Sequence, residues 1–462
     1  MRAIIELLRH EPRARVFTAA LTQSSLGTGA GYIALLILAL DRLDSTWAIS
    51  IVLLADLVPA MLLGPVFGAA ADRWSRRACT VTADVLRAVA FVGIAFVSSF
   101  EATVALAVVA GIGTGLFGPA ALASLPSLVE ERRLPAATSL YGAIADLGYF
   151  VGPAVAGVVL LLGSAELLML GNGLTFAVSA VLLAGLRFGA APARDVGDGQ
   201  EALKTSLLTE ARDGLRAAAD IAGVRTVLAA SGAALFFAGI LNVGELPFAI
   251  EDLDSSEAGY AMLAAILGLG FIGGSVAGSK GGELPELKRR YLLGLLLLGV
   301  GLLASGLAPT FPVALATFAL FGFGNGLLLV YERLLIQRVV PDRFAGRVFG
   351  VKDALTAWAF AAAFLCAGVI IALVGARTLL LIAGAGSMVV WALSTLALRK
   401  TWQGQEADGR HLRHRADPVG SRLAGQDGAD AVGGRNDRLA RPDDLDHRRD
   451  DSGVELGTRV GH

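Results

Sequence analysis

Stretches of about 20 apolar residues recur from near Val16 to near Leu398, separated mostly by short polar loops. That is the length a helix needs to cross the hydrocarbon core of a bilayer. A segment inside lipid must satisfy its own backbone hydrogen bonds, which leaves helices or closed barrels. These runs are too long and too continuously apolar for barrel strands, whose lipid-facing and lumen-facing residues alternate. The expected fold class is an all-α membrane protein. Only 17% of the 462 residues are charged, against about 25% in a soluble domain.

Twelve spans are expected, at about 16–40, 46–67, 78–99, 102–124, 136–162, 165–186, 224–249, 256–278, 291–307, 311–332, 350–374 and 377–398. The loops between them alternate in charge. One set is basic, holding Arg2, Arg9, Arg13 and Arg15, then Arg73, Arg76 and Arg77, then Arg132 and Arg133, the 187–223 connection, Lys280 with Lys288, Arg289 and Arg290, and Arg338, Arg343 and Arg347. The other set is mostly acidic, with Asp41, Asp44, Glu101, Glu166, Glu251, Asp252, Asp254 and Glu257, and holds only Arg42 and Arg377 as cations. Cytoplasmic loops carry the Lys/Arg excess, so both termini are expected in the cytoplasm. The polar connection 187–223 divides the spans six and six, giving an N-terminal bundle (1–186) and a C-terminal bundle (224–399). The segment 400–462 is rich in Arg, Asp and Gly, nearly lacks large apolar residues, and is expected to be a disordered cytoplasmic tail.

Several classes of function lose support. A net charge of −1 gives no sign of nucleic acid. Cys79 and Cys366 form no disulfide framework or metal site, and His411, His414, His447 and His462 in the tail have no ligand spacing, so neither a metal nor another cofactor is expected. No G-x-x-x-x-G-K-[ST] loop is present, so the chain does not bind ATP by that route.

The stretch GPVFGAAADRWSRR, 64–77, breaks the apolar pattern with one acid and three arginines. The basic residues suit an inside loop; Asp72, with small residues at a spacing of four before it, needs a further reason. Gly68-x-x-x-Asp72-Arg73-x-x-Arg76-Arg77 resembles the loop 2–3 signature of the major facilitator superfamily, with Ser75 where a Gly is usual. The resemblance covers about 1–400. It implies twelve helices in two pseudo-symmetric six-helix bundles that rock about a midplane site. It also implies that Asp72 docks at the N-terminus of the eleventh helix, near Gly350, where a carboxylate is favoured. Arg73, Arg76 and Arg77 would then join a cytoplasmic ion-pair latch.

A second signature concerns direction. Gly148-x-x-x-Gly152-Pro153-x-x-Ala156-Gly157 is similar to the fifth-helix motif of the family's exporters, with Ser139 and Ala156 where glycines are usual. Small-xxx-small packing with a proline bend explains the same residues without export. The stretches 117–129 and 332–350 are similar to a subgroup containing macrolide and siderophore exporters. The Arg common in the fourth helix of drug:proton antiporters is absent.

Ionisable residues inside spans are costly and point to function. Asp56, Asp84, Arg87, Asp146 and Glu245 are the proton-coupling candidates, with Asp146 preferred. Each has a structural alternative. Asp84 and Arg87, at i and i+3, can neutralise each other; Asp56 can neutralise Arg87 from the next helix; Glu245 can sit at the outer headgroup level. In the family, helices 1, 4, 7 and 10 line the cavity, which here offers Gln23, Ser24, Thr28, Tyr32, Thr114, Asn242, Glu245 and Asn325. Such a cavity suits a lipophilic molecule oriented by a few polar groups. The expectation is a monomeric, non-enzymatic exporter in the cytoplasmic (inner) membrane of a bacterium, moving a small lipophilic molecule such as an antibiotic or siderophore in exchange for protons. An importer or uniporter of a small metabolite, the membrane subunit of an ATP-driven pump, and a non-transporting receptor or scaffold are the rivals.

Overall fold

The computed structural model describes residues 2–186, 188, 220–221, 223–279, 281–399 and 401, and side chains at all of these except 2–3, 65–66, 68–73 and 342–343. The connection 187–223, all but a few residues, and the tail from 402 lie outside the described residues, so the expected linker and disordered tail do too.

Every regular element among the described residues is helical. A short helix α1 (Arg2–His10) leads into α2 (Pro12–Leu43), α3 (Trp47–Arg73), α4 (Arg76–Phe96), α5 (Phe100–Leu128), α6 (Leu134–Leu160) and α7 (Ala165–Gly185). After the central connection come α8 (Val224–Pro247), which closes in a π turn (Phe248–Asp252), then α9 (Glu257–Gly278), α10 (Leu284–Leu307), α11 (Phe311–Val339) and α12 (Asp342–Arg399). Eleven helices among the described residues are long and apolar enough to cross a membrane. The last of these is 58 residues long, well over the roughly 20 that one crossing needs. It is broken at Gly375 (φ 79, ψ 169), leaving helical stretches 342–374 and 376–399. Only glycine adopts that backbone without strain.

Local chemistry sets the helix ends. Ser75, Ser99, Ser164 and Ser256 each accept a hydrogen bond from a first-turn amide and cap α4, α5, α7 and α9. Ser75 therefore has a clear role where the loop signature usually has Gly. Proline opens α2, α6, α10 and α11, where its missing N–H costs nothing. α10 starts at Leu284, earlier than the expected ninth span, because Pro285 starts the helix and Lys288, Arg289 and Arg290 ride on its first turns. α1 was not anticipated. Leu7 is buried beside Leu125, Leu128 and Ile144, and just beyond α1 the Glu11 carboxylate accepts from Arg133 at 2.7 Å.

The packing pairs repeat along the chain. α2 lies against α6 and α7, α3 against α5, and α4 against α5 and α7. In the second half α8 lies against α12, α9 against α11, and α10 against α11 and α12. The most extensive contacts between the halves are those of α6 with α9 and of α3 with α12. Phe150 stacks on Phe271 at 3.8 Å. A Cβ on Gly368 would lie 2.7 Å from the Ser50 hydroxyl, so α12 passes α3 closely there.

Candidate functional site

A cavity of about 510 Å³ lies between the two halves of the chain, within the size range of small-molecule sites. Thr28 and Tyr32 reach it from α2, Asp56 from α3, Asp146, Tyr149 and Phe150 from α6, and Asn242 and Glu245 from α8. Phe271 of α9, Phe321 and Asn325 of α11, and Lys352, Thr356, Phe360 and Phe364 of α12 complete the wall. The aromatic rings make it largely apolar, with three carboxylates and one ammonium placed around it. Gly368 lies against Trp47 and Ser50, and Gly157 against Ala261, near the end that carries loops 44–46 and 253–256. Asp146 and Asp353, toward the other end, are exposed.

Most of the expected cavity residues converge. The Tyr32 hydroxyl donates to Asn242 Oδ1 at 3.1 Å, linking α2 to α8 across the cavity. Asn325 lines the wall, with its Oδ1 buried and without a hydrogen-bond partner. Gln23 does not belong with them. Its amide donates to the Thr175 carbonyl at 2.8 Å and to the Ala20 carbonyl at 3.0 Å, so it fastens α2 to α7. Ser24 is also turned inward, bonded to the Leu21 carbonyl, and Thr114 is not among the lining residues. A glutamine near the middle of the first span reads the same in sequence whether it faces a cavity or a neighbouring helix.

The charged candidates separate into two groups. Asp84 and Arg87 form a buried ion pair within α4, as the i, i+3 spacing allows. The Arg87 guanidinium lies between the rings of Phe117 and Phe176, 4.3 and 4.2 Å from their centroids. This pair is away from the cavity wall. Asp56 interacts with Arg87 electrostatically but makes no ion pair with it among the described residues. Asp56, Asp146 and Glu245 all border the cavity. Glu245 is buried within the protein: only 6% of it is exposed, and its Oε1 has no hydrogen-bond partner. α8 continues past it into the π turn, which carries it inside.

Sequence reading missed Glu332. It is fully buried in α11, and neither carboxylate oxygen has a hydrogen-bond partner. Ser231, whose hydroxyl meets Tyr291 Oη at 2.9 Å, and Lys352 of the cavity wall are polar neighbours. The expected tenth span ended at Glu332; because the helix runs on to Val339, the residue lies inside the protein. Lys352 was also missed, since in sequence it reads as part of a cytoplasmic boundary.

The fifth-helix glycines meet the first span. A Cβ on Gly152 would stand 2.5 Å from the Gly29 Cα, and one on Gly148 would stand 2.5 Å from the Ser25 carbonyl carbon. Pro153 borders a recess of the cavity, and Gly157 faces Ala261 of α9. Of the loop 2–3 motif, Gly68, Asp72 and Arg73 are helical in backbone, but their side chains lie outside the described residues. Arg76 and Arg77 open α4 and make no ion pair among the described residues. In the loop between α5 and α6, Arg132 hydrogen-bonds Glu130 at 2.6 Å and holds its carboxyl below the usual range.

A family model described as Major Facilitator Superfamily matches residues 14–351. The chain is 28% identical over 408 residues to the "Uncharacterized MFS-type transporter YfiS" of Bacillus subtilis, covering 85% of this chain and 95% of that one. It is 27% identical over 363 residues to the "Multidrug efflux pump Tap" of Mycolicibacterium fortuitum, covering 74% and 85%. Among solved structures it is similar to a bacterial homolog of the human lysosomal transporter Spinster, in an inward-facing and unoccupied conformation. The TM-score is 0.65 at 14% identity, over 84% of this chain and 97% of that one. The nucleoside transporter NupG is similar at a TM-score of 0.64 and 12% identity, over 84% and 99%. At these identities the structural likeness establishes the fold.

Proposed function

The chain belongs to the major facilitator superfamily, and on that premise we propose that it is a secondary active exporter of a small lipophilic molecule, driven by protons. The observation that carries this reading is the cavity: a largely aromatic chamber bordered by three carboxylates, Asp56, Asp146 and Glu245. Aromatic walls suit a lipophilic guest, and carboxylates in a water-poor chamber can take up and release the coupling proton. Asp146 is the proposed carrier, because it is exposed on the cavity's accessible side. Asp84 is set aside, being held by Arg87 outside the cavity. The fifth-helix glycines and the relative named as an efflux pump support export over import.

In this reading the chain crosses the membrane twelve times, the break at Gly375 separating the last two crossings. The repeated packing pairs support two six-helix bundles that rock against each other. The Lys/Arg excess of one loop set supports a reading with both termini in the cytoplasm, and the bacterial relatives support the inner membrane of a bacterium. The cavity is then closed at the outer end and open inward. Asp72 and the following arginines would latch the inner end in the opposite state.

Direction is tested in intact cells. Overexpression should lower the accumulation of a fluorescent lipophilic compound, with discharge of the proton gradient restoring it. Raised accumulation would identify an importer, and accumulation unchanged across a broad panel would favour the receptor reading.

A further inference from the structure

Arg42 and Arg377, the cations among the acidic loops, both hold helix ends. Arg42 donates to the Ile94 carbonyl at 2.7 Å and to the Thr103 hydroxyl at 2.6 Å, tying the end of α2 to α4 and α5. Arg377 stands just past the break at Gly375 and makes a larger knot. Its Nε donates to Asp252 Oδ1 and its Nη2 to the Asp252 carbonyl, each at 3.2 Å. Its Nη1 donates to the carbonyls of Gly306 and Ala308, at 3.2 and 2.7 Å. The Arg377 backbone N–H donates to Asp252 Oδ2 at 3.0 Å. The guanidinium also lies 5.3 Å from the ring centroid of Phe248, which is buried and stacked on Phe318 of α11.

A helix leaves its first amides and its last carbonyls without partners. Here those ends serve one another. Asp252, the last residue of the π turn after α8, caps the first turn of the stretch 376–399, where a carboxylate is favoured. Arg377 in return takes the last carbonyls of α10. A π turn and a broken helix are the kind of irregular backbone from which hinges are made. One guanidinium binds both, and its planar fork of donors fixes their relative positions. We propose that the π turn, the break at Gly375 and the end of α10 form one fixed joint, with Arg377 as its positioning residue, and that neither irregular element is a hinge. Asp252, Phe248, Gly306 and Ala308 all belong to the second half, so separating the halves leaves the joint whole. The molecule then opens at this end along the seam between the halves, where Gly157 meets Ala261, and not by bending within α8 or α12. Only this statement about opening rests on the exporter reading.

The joint is tested by hydrogen–deuterium exchange on the purified full-length protein in lipid nanodiscs, which needs no substrate. The amides of Leu253, Ser255 and Arg377 are all hydrogen-bonded at the joint. A unit that opens as a whole should protect them alike, to within about tenfold. Arg377→Gln should speed exchange at Leu253 and Ser255 by at least about tenfold, as the loss of hydrogen bonds from a charged group implies. Arg377→Lys keeps the charge without the fork and should give the same rise. Wild-type protection of Leu253 and Ser255 in Arg377→Gln, or its full return in Arg377→Lys, overturns the joint. If these variants do not fold, wild type decides: a protected Arg377 amide beside fast exchange at Leu253 and Ser255 would mark the π turn as a hinge. Opening is read in proteoliposomes with radiolabelled tetraphenylphosphonium, in a background lacking Cys79 and Cys366. Asp252→Cys with Arg377→Cys, bridged by a short bifunctional thiol reagent, should still move the probe. Gly157→Cys with Ala261→Cys, whose Cβ atoms would stand 3.5 Å apart, is within disulfide reach and should stop when oxidised. Arrest by the first bridge, or movement through the second, overturns opening along the seam. Wild type that moves no probe removes the exporter reading and leaves the exchange result standing.

Discussion

Asp84 and Glu332 are both carboxylates with no exposed surface, yet they make opposite demands on stability. Asp84 neutralises Arg87, so Asp84→Asn leaves a guanidinium buried between two rings without its counter-charge. Breaking one side of such a pair costs about 3–5 kcal/mol, and the variant should melt several degrees lower in a thermal unfolding assay. Glu332 makes no ion pair among the described residues, and Ser231 and Lys352 stand near it as favourable polar neighbours. Glu332→Gln should therefore melt at or above the wild-type temperature; a drop as deep as that of Asp84→Asn would show that Glu332 holds a strong ion pair. The Asp84–Arg87 pair was legible in sequence because it is local to one helix. The burial of Glu332 and Glu245 was not, since it depends on how far α11 runs and on where the turn after α8 closes. Gln23 was misplaced for a related reason: a polar residue in an apolar span shows that it needs a partner, not which neighbour provides one.

The elements were more legible than their contacts. Every expected span falls on a helix, because apolar runs bounded by Ser, Pro and charged loops leave a lipid-embedded chain little choice. The extra turns of α10 and α11 were hidden because charged residues read as loop although they ride on helices here. The glycines of α6 were noticed as a motif, and the structure gives them a physical task. Gly148 and Gly152 let α6 touch the backbone of α2 at Ser25 and Gly29. Gly152→Leu has no room and should force the helices apart, giving a protein that extracts poorly and elutes broadly in size-exclusion chromatography. A symmetric, well-behaved peak would contradict the close approach. At Gly375 an alanine would be held at φ 79, which costs about 1–3 kcal/mol. Gly375→Ala should lower the melting temperature, and an unchanged value would show that the break relaxes.

At the scale of the molecule, the packing pairs of the first half recur in the second. Two halves built on one plan need similar turns at similar places, but side chains diverge freely where only lipid is touched. Orientation was argued from the loops alone, and it predicts a labelling pattern. A cysteine at Asp353 should react with an impermeant thiol reagent only from the cytoplasmic side, and one at Asp254 only from outside, in a background lacking Cys79 and Cys366. The reverse pattern would invert the molecule and turn the open cavity outward.

Proton-coupled export through the shared cavity is the central claim, and it is tested most directly in proteoliposomes with an imposed pH gradient and an internal pH dye. A panel of lipophilic cations and neutral antibiotics is added to vesicles holding wild type or Asp146→Asn. Substrate-evoked proton movement should occur with wild type and be lost in the variant. Labelled substrate that moves while the internal pH stays still, or an Asp146→Asn protein that couples fully, would contradict the account.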